Sequence, residues 1–252
     1  MRVWDIHPGY LSRQSLLGQH AEIHALATVI VSGKKGYAAH PETLRWKGRI
    51  GRLRRSHDLT VLEMRLRGFK HSSPFLACSE PGRNECADNG GRASVDFPVK
   101  QVAILKAKYL EREQSGRIPL PKNGYEFWAH HKYSVMARGY DCYKEVQDAL
   151  KGKNSCRLDE SDELIEKILT IMELPVTESA LANVTDHLWG YFKREASNTE
   201  KECCLRRRPR DLHALVRFFY DLAEKYKSFY LLHSTIFADF TEPTIRKEDA
   251  GI

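Results

Sequence analysis

Residues 15–33, SLLGQHAEIHALATVIVSG, set the architecture of the chain. Leu16, Leu17, Ile23, Leu26, Ala27, Ile30 and Val31 recur at the three- and four-residue intervals of a helix with one apolar face. The Ser12-Arg13-Gln14 turn ahead of it starts the helix near Ser15, and Ser32-Gly33 stops it. Outward from there, Lys34-Lys35-Gly36-Tyr37 forms a basic turn. His40-Pro41 opens a second helical region through Leu44 and Trp46 to Gly48, with Pro41 in its first turn. A longer helix is predicted from about Ile50 to Arg67. Its apolar positions are Ile50, Leu53, Leu59, Leu62, Leu66 and Phe69, and Gly68 is a natural C-terminal stop.

Residues 71–98, rich in Ser, Pro, Gly and Asn, read as a long loop. A helix resumes over Val99–Glu113, and Gly116, Pro119, Pro121, Asn123 and Gly124 mark a linker. Beyond it the pattern predicts helices at Tyr125–Leu150, Ser161–Glu173, Glu178–Glu195 and Asp211–Phe240, the last with a break near Ser228. No stretch sustains period-two alternation and no internal repeat is present. The chain therefore reads as all-α, with a helical domain over 1–122, a second over 125–240 and a tail over 241–252.

The 252 residues are 42% hydrophobic, enough for a sizeable core, and no apolar run is long enough to span a membrane. The start lacks the charged, apolar and small-residue succession of a secretory signal. Together these predict a cytoplasmic protein whose N-terminus survives, and whose cysteines (Cys78, Cys86, Cys142, Cys156, Cys203, Cys204) stay reduced. No CxxC occurs, and His130, His131, His213 and His233 show no ligand spacing, so neither a metal nor another cofactor is expected. Residues 1–122 hold 21 Lys+Arg against 11 Asp+Glu, a net of +10, while residues 123–252 hold 19 against 22. The front half has the electrostatics of a polyanion binder; the back half does not.

A chain that keeps its own N-terminus offers an unusual nucleophile. An α-amine has a pKa of about 7.7–8.0, so roughly a tenth of it is unprotonated at pH 7, far more than of a lysine. Such an amine attacks an electrophilic carbon without strong perturbation, and a nearby carboxylate would handle protons and developing positive charge. Glu22 is the first acid after Asp5. By spacing alone it is an ordinary solvated helix glutamate.

The ordered set Met1-Arg2-Val3, Leu11, Gln14, Leu16 and Glu22, then Gly33-Lys34, resembles the start of the phage-type pyrimidine-dimer DNA glycosylases, the endonuclease V family. The resemblance continues through Ile50–Phe69, IGRLRRSHDLTVLEMRLRGF. His7-Pro8, Tyr10 and Gly36-Tyr37-Ala38-Ala39-His40-Pro41 are similar to the bacterial branch of the same family. More loosely, Lys106, Lys108 and Arg112 with Tyr125-Glu126-Phe127-Trp128 resemble its C-terminal helix and aromatic tail. The resemblance implies an all-α, metal-free DNA repair enzyme combining glycosylase and AP-lyase (hydrolase and lyase) activity on double-stranded DNA. It implies that the Met1 amine forms a Schiff base with the sugar, that Glu22 is the essential acid, and that Arg2 holds a phosphate. Gln14, Lys34, Lys35, Tyr37, His40, Arg45, Lys47, Arg49, Arg52, Arg54 and Arg55 are the further candidates for DNA contacts, which position the duplex without reading its sequence. Trp4, Tyr10, Tyr37 and Trp46 are candidate wedges or stacking groups; each alone is more often core.

The chain departs from the family in three places. Arg2 is too bulky for removal of the initiator, so Met1 itself would be the nucleophile. Ala21 stands where the family has an arginine. The loop at 77–93 has no counterpart. The substrate is therefore left as pyrimidine dimers or another modified base, and a non-catalytic nucleic-acid-binding module is the alternative.

In the back half, Trp128–Tyr140 (WAHHKYSVMARGY) and Ala182–Lys193 (ANVTDHLWGYFK) resemble a small helical domain of unknown function, found in bacteria also beside a desulfurase-type domain acting on thiolated bases. Asn183, His187, Gly190, Tyr191 and Phe192 fall on consecutive turns of one helix, as a ligand face or as a packing stripe. Arg206-Arg207-Arg208-Pro209-Arg210 is a basic cluster that touches phosphate or caps a loop.

Overall fold

A computed structural model describes residues 2–76, 93–151, 157–207 and 212–239. These residues form helices and coil with no strand among them; isolated bridges join Ser12 to Gly116 and Asn123 to Arg157. The chain divides into two compact units, 1–116 and 117–252.

In the first unit a one-turn 3-10 helix, Pro8–Tyr10, precedes α1 (Arg13–Ser32), α2 (Pro41–Trp46), α3 (Ile50–Leu66) and α4 (Pro98–Arg112). Ser12 caps α1 by accepting from the Ser15 N–H, and Gly33 ends it in the left-handed region at φ 62°. These are the side-chain oxygen and the Cβ-free residue that helix ends favour. Pro41 and Pro98 occupy first turns, where their missing N–H has no intrahelical partner to lose. Gln19 Nε2 donates to Thr60 Oγ1 at 2.9 Å, while His24 meets His57 one turn further along. Rising numbers on α1 thus meet falling numbers on α3, so the two helices run antiparallel. Between them lies a core of Ile23, Leu26, Ala27, Ile30, Trp46, Ile50 and Leu53, joined by Val3 from the N-terminal segment.

The second unit contains α5 (Gly124–Met136), α6 (Tyr140–Leu150), α7 (Asp162–Ile171), α8 (Glu178–Phe192), α9 (Asn198–Arg207), α10 (Leu212–Lys225), α11 (Phe229–Leu232) and α12 (Ile236–Asp239). The helix predicted over Tyr125–Leu150 is two, because Gly139 sits at φ 151°, outside the helical region. The predicted break near Ser228 is present, with Lys227 at φ 51°. Helix α9 escapes hydrophobic periodicity because its face is polar, yet it begins with a reciprocal cap: Glu200 N–H donates to Ser197 Oγ and Ser197 N–H donates to Glu200 Oε2. Helix α5 packs against α6, α7, α8 and α12. Arg138 fastens its end by donating to Ser134 O at 2.7 Å and Met172 O at 3.1 Å.

Cys142, Cys203 and Cys204 are free thiols. Cys78, Cys86, Cys156, the loop at 77–92 and the side chains of the 206–210 cluster and of His213 lie outside the described residues. No described helix is long and apolar enough to cross a membrane.

Candidate active site and nucleic-acid interface

The N-terminal segment is held by its backbone. Val3 N–H donates to Glu42 Oε1 at 2.9 Å, Trp4 N–H to Gln19 Oε1 at 2.8 Å, and Asp5 N–H to Gln101 Oε1 at 2.8 Å. The three acceptors come from α2, α1 and α4, and all three residues are buried. An extended segment has no internal hydrogen bonds, so its buried N–H groups need partners elsewhere. Here they find one on each of three helices, which fixes both the register and the direction of residues 3–5.

Side chains reinforce the clamp. Arg45 donates to Asp5 Oδ1 at 2.6 Å, lies 3.4 Å from Glu42 and stands over the Trp46 ring. Gln101 Nε2 donates to Asp5 Oδ2 at 2.7 Å, and Trp46 Nε1 to Glu42 at 3.2 Å. Arg2 pairs with Asp96 and stands over the Trp4 ring. Lys100 and Arg2 together hold the Asp96 carboxyl below its ordinary range, against the opposing effect of its burial. Downstream, Ser12 N–H donates to Tyr109 Oη at 2.6 Å.

Glu22 lies half-buried on α1, one turn from Gln19. Residues three apart on a helix are neighbours, so Glu22 and the acceptor of the Trp4 N–H share one side of α1. Met1 lies outside the described residues. Ala21, in place of the family's arginine, is exposed.

The remaining predicted contacts separate by environment. Lys34, Lys35, Tyr37 and Arg54 are exposed, Tyr37 to 69%. Tyr37 also holds φ 58°, a left-handed conformation uncommon for a bulky residue. Lys47, Arg49, Arg52 and His40 are partly exposed; Arg49 donates to Arg45 O, and His40 caps α2 through Nδ1. Arg55 is exposed beside Arg54. Gln14 is exposed and accepts from Gln114. Arg45 is buried in its ion pairs, which makes it a structural residue. Of the candidate wedges, Tyr10 and Trp46 are core and Trp4 is half-covered.

The charges at the start of α3 oppose the usual preference. Arg52, Arg54 and Arg55 follow Arg49, the N-cap residue; no side chain caps the helix and no acid lies in its first turn. Cations near the positive end of a helix dipole are unfavourable by a few tenths to about 1 kcal/mol each. An incoming phosphate would reverse the sign, because N–H groups that no side chain caps and guanidiniums would then act together on an anion. The antiparallel pairing puts this end of α3 beside the end of α1 that leads into Lys34 and Lys35.

Residues 1–77 match the pyrimidine dimer DNA glycosylase family. A second family model, for proteins of unknown function (DUF1722), matches residues 132–241. No curated protein and no solved structure shows a match to the chain. The glycosylase match covers the clamped N-terminal segment, Glu22, the basic turn and all of α3; it does not reach Lys106, Lys108, Arg112 or Tyr125–Trp128, to which the looser resemblance extended. The second match runs from α5 to α12.

Two groups escaped the sequence reading. His20, His24, His57 and His71 converge in the segment that matches the glycosylase family model; only the four-residue spacing of His20 and His24 signalled it. In the second unit Tyr133 donates to Tyr191 Oη at 3.1 Å, Tyr191 stacks on Tyr230, and Lys132 stands over Tyr133 and Tyr230. Burial drives the Tyr133 phenol far above its ordinary pKa, so it stays a neutral donor. Of the stripe read on α8, Phe192 is core, Asn183 is half-buried, and His187, Gly190 and Tyr191 are exposed.

Proposed function

We propose that the front unit removes damaged bases from double-stranded DNA and cleaves the strand at the resulting site, with the Met1 amine as nucleophile and Glu22 as the acid. The amine attacks C1′ of the damaged nucleotide, the glycosidic bond breaks and the base departs with a proton. Ring opening gives a protonated imine between protein and sugar. Loss of the C2′ proton to a base then expels the 3′ phosphate, and water releases the protein from the unsaturated aldehyde. Glu22 serves first as an anion beside the developing ring cation and then in the proton transfers. Lys34, Lys35, Lys47, Arg49, Arg52, Arg54 and Arg55 hold the backbone, and Tyr37 is the stacking group offered to an opened duplex.

The observation that carries this reading is the clamp on Val3, Trp4 and Asp5, inside a segment that matches a glycosylase family. Trp4 is held one turn from Glu22, and the three residues before it span at most about 10 Å. That short length of chain supports the reading of a Met1 amine acting beside Glu22.

Borohydride reduction during turnover tests the proposal. A covalent adduct should form on abasic and dimer-containing duplexes, and intact mass should locate it on residue 1. Glu22→Gln should slow strand scission by about 10²–10⁴-fold, the usual range for lost proton transfer, with DNA affinity kept. Salt-sensitive DNA binding with no adduct on either duplex would refute the chemistry and leave a nucleic-acid-binding module.

A further inference from the structure

Four imidazoles from three parts of the front unit meet at one point. Helix α1 contributes His20 and His24, one turn apart on one face. Helix α3 contributes His57, and the coil after it His71. One nitrogen of each ring lies within 4.8 Å of the other three, and His20 Nε2 stands 3.1 Å from His24 Nε2. Four nitrogens bound at about 2.0–2.1 Å around a tetrahedral ion stand about 3.3 Å from one another, and the observed spacings straddle that value.

The hydrogen bonding points the same way. His57 Nε2 and His71 Nε2 are buried and have no hydrogen-bond partner. Buried polar atoms are almost always satisfied, and an unsatisfied one calls for an explanation. The opposite nitrogen of His57, Nδ1, contacts Asp58 Oδ1 at 2.9 Å. A carboxylate on one ring nitrogen fixes the tautomer and leaves the other nitrogen's lone pair for a cation. The fold also delivers the fourth ring. Gly68 turns the chain at φ 79°, Phe69 N–H closes onto Met64 O, and Phe75 packs on the core and on the His57 ring. The coil carrying His71 is thereby anchored on both sides. Burial and mutual repulsion lower the pKa of His20 to about 4 and that of His24 and His71 below the ordinary value, with Arg65 adding to the effect on His71. These rings are neutral at pH 7, the form that ligates.

We propose that His20, His24, His57 and His71 bind one divalent first-row transition ion in a closed, four-nitrogen site that ties α1, α3 and the following coil together. An all-imidazole donor set suits zinc and its neighbours and excludes magnesium and calcium, which take oxygen. Glu22 stands two residues from both α1 ligands and so faces away from them. The ion therefore acts on the fold that carries Glu22 and not on the sugar.

The test uses the untagged full-length chain, since a histidine tag would bind the same ions. Elemental analysis should find one transition ion per chain as purified or after incubation with zinc. Chelation should lower the melting temperature, and zinc should restore it. Cobalt substitution should give the strong visible bands of tetrahedral coordination. His57→Gln and His71→Asn should abolish stoichiometric binding, and Asp58→Asn, which leaves all four ligands, should weaken it by about 10–100-fold. Wild-type protein that takes up no zinc or cobalt, or a His57→Gln/His71→Asn variant that still takes up one ion, would overturn the proposal. These readouts need no DNA, so failure of the repair chemistry and failure of the metal site are separate results.

Discussion

Replacing Arg67 by methionine should destabilise the front unit by about 3–5 kcal/mol, the usual cost of removing one partner from a buried ion pair. Glu63 is 0% exposed, and its carboxylate is met by Arg67 Nε at 2.7 Å. The rest of the guanidinium closes on the chain that enters α1, donating to Leu11 O at 2.7 Å, Gly9 O at 3.1 Å and Pro8 O at 3.2 Å. Methionine fills similar volume but supplies no donor, which takes the cation from the buried Glu63 carboxylate and a charged donor from three carbonyls. For a unit of this size the loss corresponds to roughly 10–20 °C in melting temperature. Calorimetry of the full chain should show the front-unit transition shifted and the back-unit transition in place. The double variant Glu63→Gln/Arg67→Met also removes the carboxylate's charge and should recover part of the loss, but not all, because the carbonyls of Pro8, Gly9 and Leu11 still lack a charged donor. Borohydride trapping should fall in Arg67→Met more than stability alone accounts for, since Arg67 positions the segment leading to residue 1. A shift below about 1 kcal/mol, or a double variant no more stable than the single one, would refute the reasoning on buried charge.

Acid should weaken both units of the metal-free protein. His20 and His130 have folded pKa values lowered to about 4, chiefly by burial, whereas the unfolded chain titrates near 6.5. Between these values the unfolded state binds more protons, so stability is full above about pH 6.5 and is lost as the pH falls toward 4; for His130 the loss is of order 3 kcal/mol. Thermal melts from pH 7.5 to 4 check this, and His130→Gln should flatten the profile of the back unit. Gly116→Ala should cost about 1–3 kcal/mol, because a Cβ there would sit 2.4 Å from Tyr10 O, a backbone atom with little room to move. DNA affinity should fall steeply with salt, with a log–log slope no steeper than about −6 if the seven cations Lys34, Lys35, Lys47, Arg49, Arg52, Arg54 and Arg55 all touch phosphate; charge reversal of Arg54 should shallow that slope, and Arg45→Ala should instead show up as a lower melting temperature.

Local signals made most of the fold legible. Ser12 and Gly33 bound α1, Pro41 and Pro98 open α2 and α4, and Gly68 follows α3. Each acts within a few residues of itself, so reading it needs no knowledge of the distant chain. Where a signal required weighing local pattern against a single residue, it was missed. Gly139 broke an apparently continuous helix, and the Ser197–Glu200 cap opened one that lacks an apolar stripe. The clamp on residues 3–5 was not legible at all. Glu42, Gln19 and Gln101 are ordinary polar helix residues until the fold brings them to a segment needing acceptors. The same holds for His57 and His71, which join His20 and His24 only once α3 has paired with α1 and the chain has turned back at Gly68.

Net charge conceals a division of labour that bears on both the fold and the chemistry. A count of cations over the front half treats Arg2, Arg45 and Arg67 like Lys34 or Arg54. In the structure the first three are spent inward: Arg2 on Asp96, Arg45 on Asp5 and Glu42, Arg67 on Glu63 and three carbonyls. All three fasten the N-terminal segment or the turn that follows it, and none neutralises a phosphate without leaving a carboxylate behind. The exposed cations sit elsewhere, on the turn after α1 and at the start of α3, and at the start of α3 they oppose the helix dipole. One set of charges therefore fixes the chain near the proposed nucleophile, while the other is the set proposed to hold DNA. Mutations in the first set should change melting temperature and trapping together, and mutations in the second should change salt dependence with the fold intact. A family match on residues 1–77 cannot distinguish the two sets; burial and ion-pair geometry do.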